Sequence, residues 1–464
     1  PATAVLSNCG TGRGLPISCD LNSVDDSLEG IVNTWNENVW LASRGGGIGT
    51  YWGSVRGIGE PVGLNGKTSG IIPFVRVMDS LTLAISQGSL RRGSAAVYLD
   101  ISHPEIEEFL EIRKPSGDFN RKALNLHHGV LVTDAFMEAV RNGEEWVLRS
   151  PKDNSERGRV DARSLFQKLV ETRLATGEPY IVFSDHVNKA MPKHHRELGF
   201  KVSTSNLCSE ITLPTGRDHL GNDRTAVCCL SSLNIETWDE WNGDKDFIED
   251  VMRFLDNVLQ DYIDRAPPEM ARAKYSASRE RSVGLGVMGF HSFLQSRGLS
   301  FEGAMAKTWN LKMFRHIREQ VDQASMLLAS ERGACPDAEE RAMAEREVAG
   351  VARQDVPARG QHDPVQDQVQ QAVVEGRQPE LRHERERDAR ADDGDRRALH
   401  AARPGRSSRI AISNVNDTSG AHDGAVTAIV TASLTPMTMP ATSGASARPR
   451  PPSITAAKTT PIQA

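Results

Sequence analysis

Ser205-Asn206-Leu207-Cys208-Ser209-Glu210-Ile211-Thr212-Leu213-Pro214-Thr215-Gly216 is the stretch on which the reading of this chain turns. In an extended backbone successive side chains point to opposite faces, so Asn206, Cys208 and Glu210 share one face and Leu207, Ile211 and Leu213 the other. One face is apolar, and the other is a row of an amide, a thiol and a carboxylate. A half-buried strand with a wet polar side explains the alternation. It does not explain the cysteine, because free cysteines are usually buried and exposed thiols oxidise. The residues leave two readings open: an ordinary strand, or three chemically useful side chains held together.

Working outward, Ala226 to Asn234 reads Ala-Val-Cys-Cys-Leu-Ser-Ser-Leu-Asn. Adjacent Cys228 and Cys229 alternate faces in a strand, so at most one of them points into a shared site. No Cys-x-x-Cys pair and no zinc-type histidine spacing accompanies them, and no metal site is expected. Upstream, Asp25 and Asp26 precede Leu28, Ile31, Val32, Trp35 and Val39 at helical spacing, an acidic entrance suited to a helix N-terminus. Amphipathic patterns predict further helices at Phe74 to Ser86, His103 to Ile112, Asp161 to Ala175, Asp246 to Ile263 and Ala304 to Arg332. Short β-branched runs predict strands at Ser94 to Ile101, Pro179 to Phe183 and Lys201 to Leu213. Strands separated by helices predict an α/β sheet or barrel.

The chain has 464 residues, enough for two or three domains or for one large α/β barrel. A formal net charge of −6 gives no basic excess for a nucleic-acid backbone, so a small-molecule ligand is expected. No apolar run reaches bilayer length and no leader pattern opens the chain, so a cytoplasmic protein without membrane contact is expected. Six cysteines are too few for a disulfide scaffold and should serve chemistry. The first residue is Pro1 rather than Met, so an internal fragment is expected. Beyond Phe314 there is no Phe, Trp or Tyr and one lysine, Lys458. Residues 1–336 are therefore expected to fold. Residues 337–464 are expected to be a low-complexity tail, disordered or displaced by a reading-frame change after Cys335.

Four runs resemble the large, catalytic subunit of ribonucleotide reductases, most closely class I: Gly14 to Leu28, Ser205 to Pro214, Cys228 to Asn234, and Glu331-Arg-Gly-Ala-Cys-Pro336. They stand in the family's order and cover roughly residues 1–336. The resemblance implies part of a ten-stranded α/β barrel of two antiparallel halves, each of five parallel strands, with a cysteine-bearing loop threaded through the centre. The strand read at Asn206 to Glu210 must then bend into a loop tip. The implied activity is reduction of ribonucleoside diphosphates to deoxyribonucleoside diphosphates by thiyl-radical chemistry.

Carried over residue by residue, Cys208 is similar to the cysteine that becomes the radical and takes hydrogen from C3′ of the ribose. Glu210 corresponds to the general base for the 3′-hydroxyl, and Asn206 to the amide orienting the same sugar edge. Cys19 and Cys228 correspond to the pair that gives two electrons and closes as a disulfide, leaving Cys229 as packing. Thr3 and Ser18 match substrate contacts. Asp26, Ser27 and Leu28 match a nucleotide-effector motif, although Asp26 as a plain helix cap fits the local sequence equally. Arg56 matches an effector phosphate contact, and Asp118 to Asn125 the loop linking effector and substrate sites. Gly45, Gly46, Gly47 and Gly49 are read as close backbone packing near the substrate. Cys9 is assigned nothing.

The same resemblance implies no cofactor bound directly, a radical delivered by a partner small subunit with a diiron centre, thioredoxin or glutaredoxin as reductant, ATP and deoxynucleoside triphosphates as effectors, and a homodimer. The family's Pro-Thr-Ala-Ser phosphate loop, C-terminal tyrosine pair and terminal Cys-x-x-Cys are not found in the sequence, so the chain as given is expected to be inactive. Two alternatives stand beside this reading: an adenosylcobalamin-dependent reductase, and a non-catalytic nucleotide-binding fragment.

Overall fold

The strands that build the sheet are short, and several are poor in the usual strand formers. In the computed structural model, which describes residues 1–64, 66–87 and 91–340, seven of them form one sheet. They are β1 (Cys19–Ser23), β2 (Gly47–Tyr51), β3 (Ala95–Asp100), β4 (His127–Val132), β5 (Tyr180–Phe183), β6 (Ala226–Asn234) and β7 (Val283–Met288). Their order across the sheet is β7-β6-β1-β2-β3-β4-β5. Strands β1 to β5 run parallel, β6 is antiparallel to β1, and β7 is parallel to β6. Five parallel strands and the first two of an oppositely directed set are thus joined at one antiparallel seam. This is the part of a two-halved barrel that the resemblance implies.

Parallel neighbours need a crossover, and helices supply it. Helix α1 (Thr3–Asn8) precedes the sheet; α2 (Leu28–Ser43), α3 (Ile72–Ala84), α4 (Ile106–Leu110) and α6 (Ala162–Thr176), the last preceded by α5 (Asp134–Asn142), lie between successive strands. The hydroxyl of Ser27 caps α2 by accepting from the Gly30 amide at 2.9 Å. Helix α7 (Phe247–Arg265) packs on β6 and β7, and α8 (Ala304–Arg332) packs on α7 and matches its expected bounds. The helix expected at His103 to Ile112 is only five residues long. His103 and Glu105 are instead buried in the turn before it, where Glu105 accepts the Ile58 and Ile71 amides at 3.0 and 2.9 Å.

Side chains alternate strictly across the sheet. Val97, Leu99, Val130, Val227 and Cys229 enter the core beneath the helices, while Ala96, Tyr98, Leu131 and Val182 form a separate cluster on the inner, concave face. The outer face of β1 is polar yet buried. Asn22 donates to Glu37 at 3.1 Å and to Asn38 at 2.8 Å, Thr50 donates to Asn22 at 2.8 Å, and Thr225 donates to Glu37 at 2.9 Å. This network bolts α2 across β1, β2 and the entrance of β6; burial raises the Glu37 pKa above the usual carboxylate range.

The strand expected over Lys201 to Leu213 is not formed; the segment is an irregular loop lying on the inner face. Leu207 joins the Ala96 cluster, and Ile211 and Leu213 pack with Leu21 and Ala226. Glycines on the inner side of β2 make the crossing possible. A Cβ at Gly49 would collide with the Ser205 carbonyl, and one at Gly47 would stand 2.8 Å from Leu207 Cδ2. Residues Pro336 to Glu340, assigned by composition to the boundary and the tail, continue the fold as a helical turn in which Asp337 is fully buried. The rest of the tail expectation, and the frame change with it, concerns residues 341–464, outside the described residues.

Candidate active site

The antiparallel register of β1 and β6 sets Cys19 directly opposite Cys228, both on the inner face. Cys229, one residue on, faces the other way, where its thiol donates to the Leu255 carbonyl at 3.4 Å. The Ser18 hydroxyl lies 4.0 Å from Cys228 Sγ. From the loop above, the Asn206 amide donates to Cys19 Sγ at 3.3 Å across 187 residues of sequence. Hydrogen bonding from the Cys228 thiol, and secondarily from Asn206, lowers the Cys19 pKa against the opposing effect of burial. Burial, reinforced by Cys19, pushes Cys228 well above the usual thiol value. The pair is asymmetric in its surroundings: Cys19 Sγ accepts from the Asn206 amide, and Cys228 is the thiol that burial raises.

Asn206 is the buried hub of the loop. Its side-chain oxygen accepts from the Glu210 and Ile211 amides, both at 3.0 Å, and closes the turn. The even-numbered side chains therefore do not share one extended face as alternation predicted. The backbone reverses at Ser209, φ +68°, leaving Cys208 exposed at the tip while Asn206 points inward. Surrounding protein, and then the Glu210 carboxylate, raise the Cys208 thiol to about 11, so it stays protonated at neutral pH. Glu210 and Cys228 line one cleft with Leu213, Leu230 and Gly284, and Glu210 Oε2 is buried there without a hydrogen-bond partner. An unengaged acceptor and one thiol of the dithiol thus share one cleft, with the protonated Cys208 exposed at the tip of the same loop two residues from Glu210.

This combination can take up a proton, exchange a hydrogen and deliver two electrons. The chain belongs to the ribonucleotide reductase barrel family. The family model described as the ribonucleotide reductase barrel domain matches residues 17–372. The putative ribonucleoside-diphosphate reductase large subunit of Frog virus 3 is 46% identical over 330 residues, covering 70% of this chain and 56% of that protein. The ribonucleoside-diphosphate reductase subunit alpha of Chlamydia muridarum is 32% identical, covering 72% of this chain and 34% of that protein. Among solved structures, the class Id ribonucleotide reductase alpha subunit of Actinobacillus ureae matches with a TM-score of 0.64 at 32% identity, over 73% of this chain and 59% of that one. The chain thus spans little more than half the length of the first of these relatives.

The remaining residues carried over from the reductase family are placed as follows. Thr3 is exposed at the start of α1, whose preceding residue, Ala2, donates its amide to the Leu230 carbonyl at 3.0 Å. Asp26 and Arg56 bind each other, with Arg56 Nε 2.9 Å from both carboxylate oxygens and Nη1 donating to the Pro61 carbonyl at 2.7 Å. Leu28 is 70% exposed. The loop Asp118 to Asn125 contains a single 3-10 turn, Phe119–Arg121. Arg121 there bonds Glu108 and donates to the Ser69 carbonyl at 3.2 Å, while Asp79 holds Asn125 at 2.9 Å. Among the described residues no group of three or more His, Cys, Asp or Glu side chains is placed to hold a metal, and no helix is long and apolar enough to cross a membrane.

Sequence reasoning missed Tyr98, whose phenol donates to the Asn206 carbonyl at 2.6 Å, and Arg224, buried against Asp218 and Asp337. Glycines two apart in a strand, Gly47 and Gly49, were the one local sign that another backbone passes over that face.

Proposed function

We propose that, within its full-length protein, this chain forms the catalytic segment of a cytoplasmic class I ribonucleotide reductase large subunit and reduces ribonucleoside diphosphates to deoxyribonucleoside diphosphates. The observation carrying this reading is the convergence of Cys19 and Cys228 with Asn206 and Glu210 on one inner face, from three separate stretches of sequence. The radical is delivered to Cys208 by a partner small subunit with a diiron centre. The Cys208 thiyl takes the hydrogen from C3′, and Glu210 accepts the 3′-hydroxyl proton as water leaves C2′. Cys19 and Cys228 then supply two electrons and two protons and close as a disulfide. Cys208 returns its hydrogen to C3′, and thioredoxin or glutaredoxin reduces the disulfide. Asn206 acts by holding the turn that presents Cys208 and Glu210, and Thr3 and Ser18 contact substrate. Asp26, Ser27, Leu28 and Arg56 receive ATP or a deoxynucleoside triphosphate in a homodimer.

The redox step is testable on this chain. Diamide, a two-electron thiol oxidant, should link Cys19 to Cys228, since directly opposed antiparallel residues lie within disulfide reach. Peptide mass spectrometry should find that crosslink with Cys229 still a thiol; a Cys19–Cys229 crosslink would put the dithiol assignment in the wrong register. The effector reading has its own measurement. Arg56→Ala removes a charged donor to phosphate, worth about 1.5–3 kcal/mol, so calorimetry should show dTTP binding weakened by about tenfold or more. Unchanged affinity removes Arg56 from that site.

A further inference from the structure

The geometry points to Tyr98 as a positioning residue for the radical cysteine: its phenol, held from below by the sheet, pins the loop at Asn206 and so sets how Cys208 is presented. The inference rests on the reading of Cys208 given above, and nothing in the sequence resemblance assigned Tyr98 a part.

Tyr98 stands on the inner face of β3 and is fully buried. Its hydroxyl donates to the Asn206 carbonyl at 2.6 Å, across 108 residues of sequence. The Ser205 and Ser209 hydroxyls lie against the same phenol, so one side chain touches the loop before, at and after the turn. Burial raises the phenol's pKa above its ordinary value, so at neutral pH it is protonated and a donor. The ring has no room to swing. A Cβ at Gly129, on neighbouring β4, would lie 2.5 Å from Tyr98 Cε1, so glycine is what admits the ring. Ala96, Leu131, Val182 and Leu207 close around it.

The contact has leverage because of where it falls. Asn206 already sends its side-chain amide to Cys19 and receives the Glu210 and Ile211 amides. Its carbonyl is the remaining hold, also accepting the Ser209 amide at 3.2 Å. With that hold the turn is fixed from both sides, by the dithiol through the amide and by β3 through the carbonyl. Without the phenol, the backbone between Asn206 and Ser209 keeps one local hydrogen bond, and Cys208 at the tip is free to move into water.

The test needs no turnover, so it stands apart from the proposed activity. Alkylation of reduced chain by iodoacetamide, followed peptide by peptide from pH 7 to 10.5, reads the thiolate fraction at each cysteine. In the parent chain the Cys208 profile should rise late, in keeping with its raised pKa. Tyr98→Phe keeps the ring and removes the hydroxyl. The Cys208 profile should move down by about one pH unit, about tenfold in rate at pH 8.5, while Cys229 and Cys335 stay protected. Gly129→Ala pushes the ring without touching the loop and should move Cys208 in the same direction. Unchanged Cys208 profiles in both variants overturn the proposal. So does simultaneous exposure of Cys229 and Cys335 in both, which would make Tyr98 a general packing residue.

Discussion

Cys208→Ser should reduce deoxynucleotide formation to background in a full-length holoenzyme supplied with its radical-generating partner and reductant, while dTTP binding stays within twofold of the parent. The reason lies in bond strength and in protonation together. A serine O–H resists homolysis far more than a thiol S–H. A penalty of even about 10 kcal/mol in the abstraction step is about seven orders of magnitude in rate. The site is built for the S–H form: surrounding protein and the Glu210 carboxylate raise the thiol to about 11, whereas the pKa of Cys19, the buried first residue of β1, is lowered by its partner thiol and Asn206. One thiol is kept as a hydrogen donor and another is prepared to share its proton. Measurable turnover by the serine variant, quantified by chromatography of the products, would falsify the assignment of Cys208; turnover lost together with dTTP binding would indicate misfolding.

A second large effect is expected far from the thiols. Asp337→Ala should destabilise the chain by about 3–5 kcal/mol, the cost of stranding buried cations, read from chemical denaturation. Arg224 is 1% exposed and Asp337 not at all, and the guanidinium donates to both carboxylate oxygens at 2.7 and 3.0 Å. Arg279 reaches the same carboxylate at 2.8 Å, and Asp218 holds the other edge of Arg224 at 3.0 Å. Phe200 lies under the guanidinium, 4.6 Å from ring centroid to Cζ. Burial alone would raise the Asp337 pKa, but the bond from Arg224 and the charges of Arg224 and Arg279 outweigh it and lower the pKa. A carboxyl depressed on folding contributes stability above its unfolded pKa, about 4, and loses it as pH falls through the folded value. The gap between parent and Asp337→Asn should therefore narrow below about pH 4. A gap under about 1 kcal/mol at pH 7, typical of an exposed pair, would mean that the cluster does not secure the entrance of β6.

The long helices were legible because their signal is periodic over many residues, α8 to the residue, while the short α1 and α5 went unread. Two strands, β3 and β5, were legible as β-branched runs. β6 was read as a strand over Ala226 to Asn234, its observed span; β1, β2, β4 and β7 were not, and for the first two the reasons are visible in the structure. β2 reads Gly-Ile-Gly-Thr-Tyr because a loop lies on its inner face, and β1 reads Cys-Asp-Leu-Asn-Ser because its outer face feeds a buried polar network. Both break the apolar rule that strand reading depends on. Lys201 to Leu213 erred the other way, since an alternating pattern also arises when a loop packs apolar side chains on two clusters and turns a thiol toward open space. Within the candidate site, Cys19, Asn206, Glu210 and Cys228 were found through the resemblance, and the structure brings them together. Tyr98 was invisible because a buried tyrosine in a strand looks like core until its hydroxyl is seen on the Asn206 carbonyl. Composition placed Asp337 in a solvated tail, because a single buried acid has no signature apart from its partners, here more than fifty residues away.

The seam between β1 and β6 also governs how the chain must come into being. Strand β1 can pair with β2 as soon as residue 51 has left the ribosome, but its other edge waits for β6, which begins at residue 226. Throughout that interval a nascent chain carries an open strand edge with Cys19 at its start, the configuration most exposed to wrong pairing and to intermolecular association. The buried polar face of β1, and α2 bolted over it, are available early because they are close in sequence; the covering of the open edge is not. Conditions that slow synthesis between residues 51 and 226, or that oxidise thiols during it, should therefore harm the yield of folded protein more than the same stress applied after β6 has emerged.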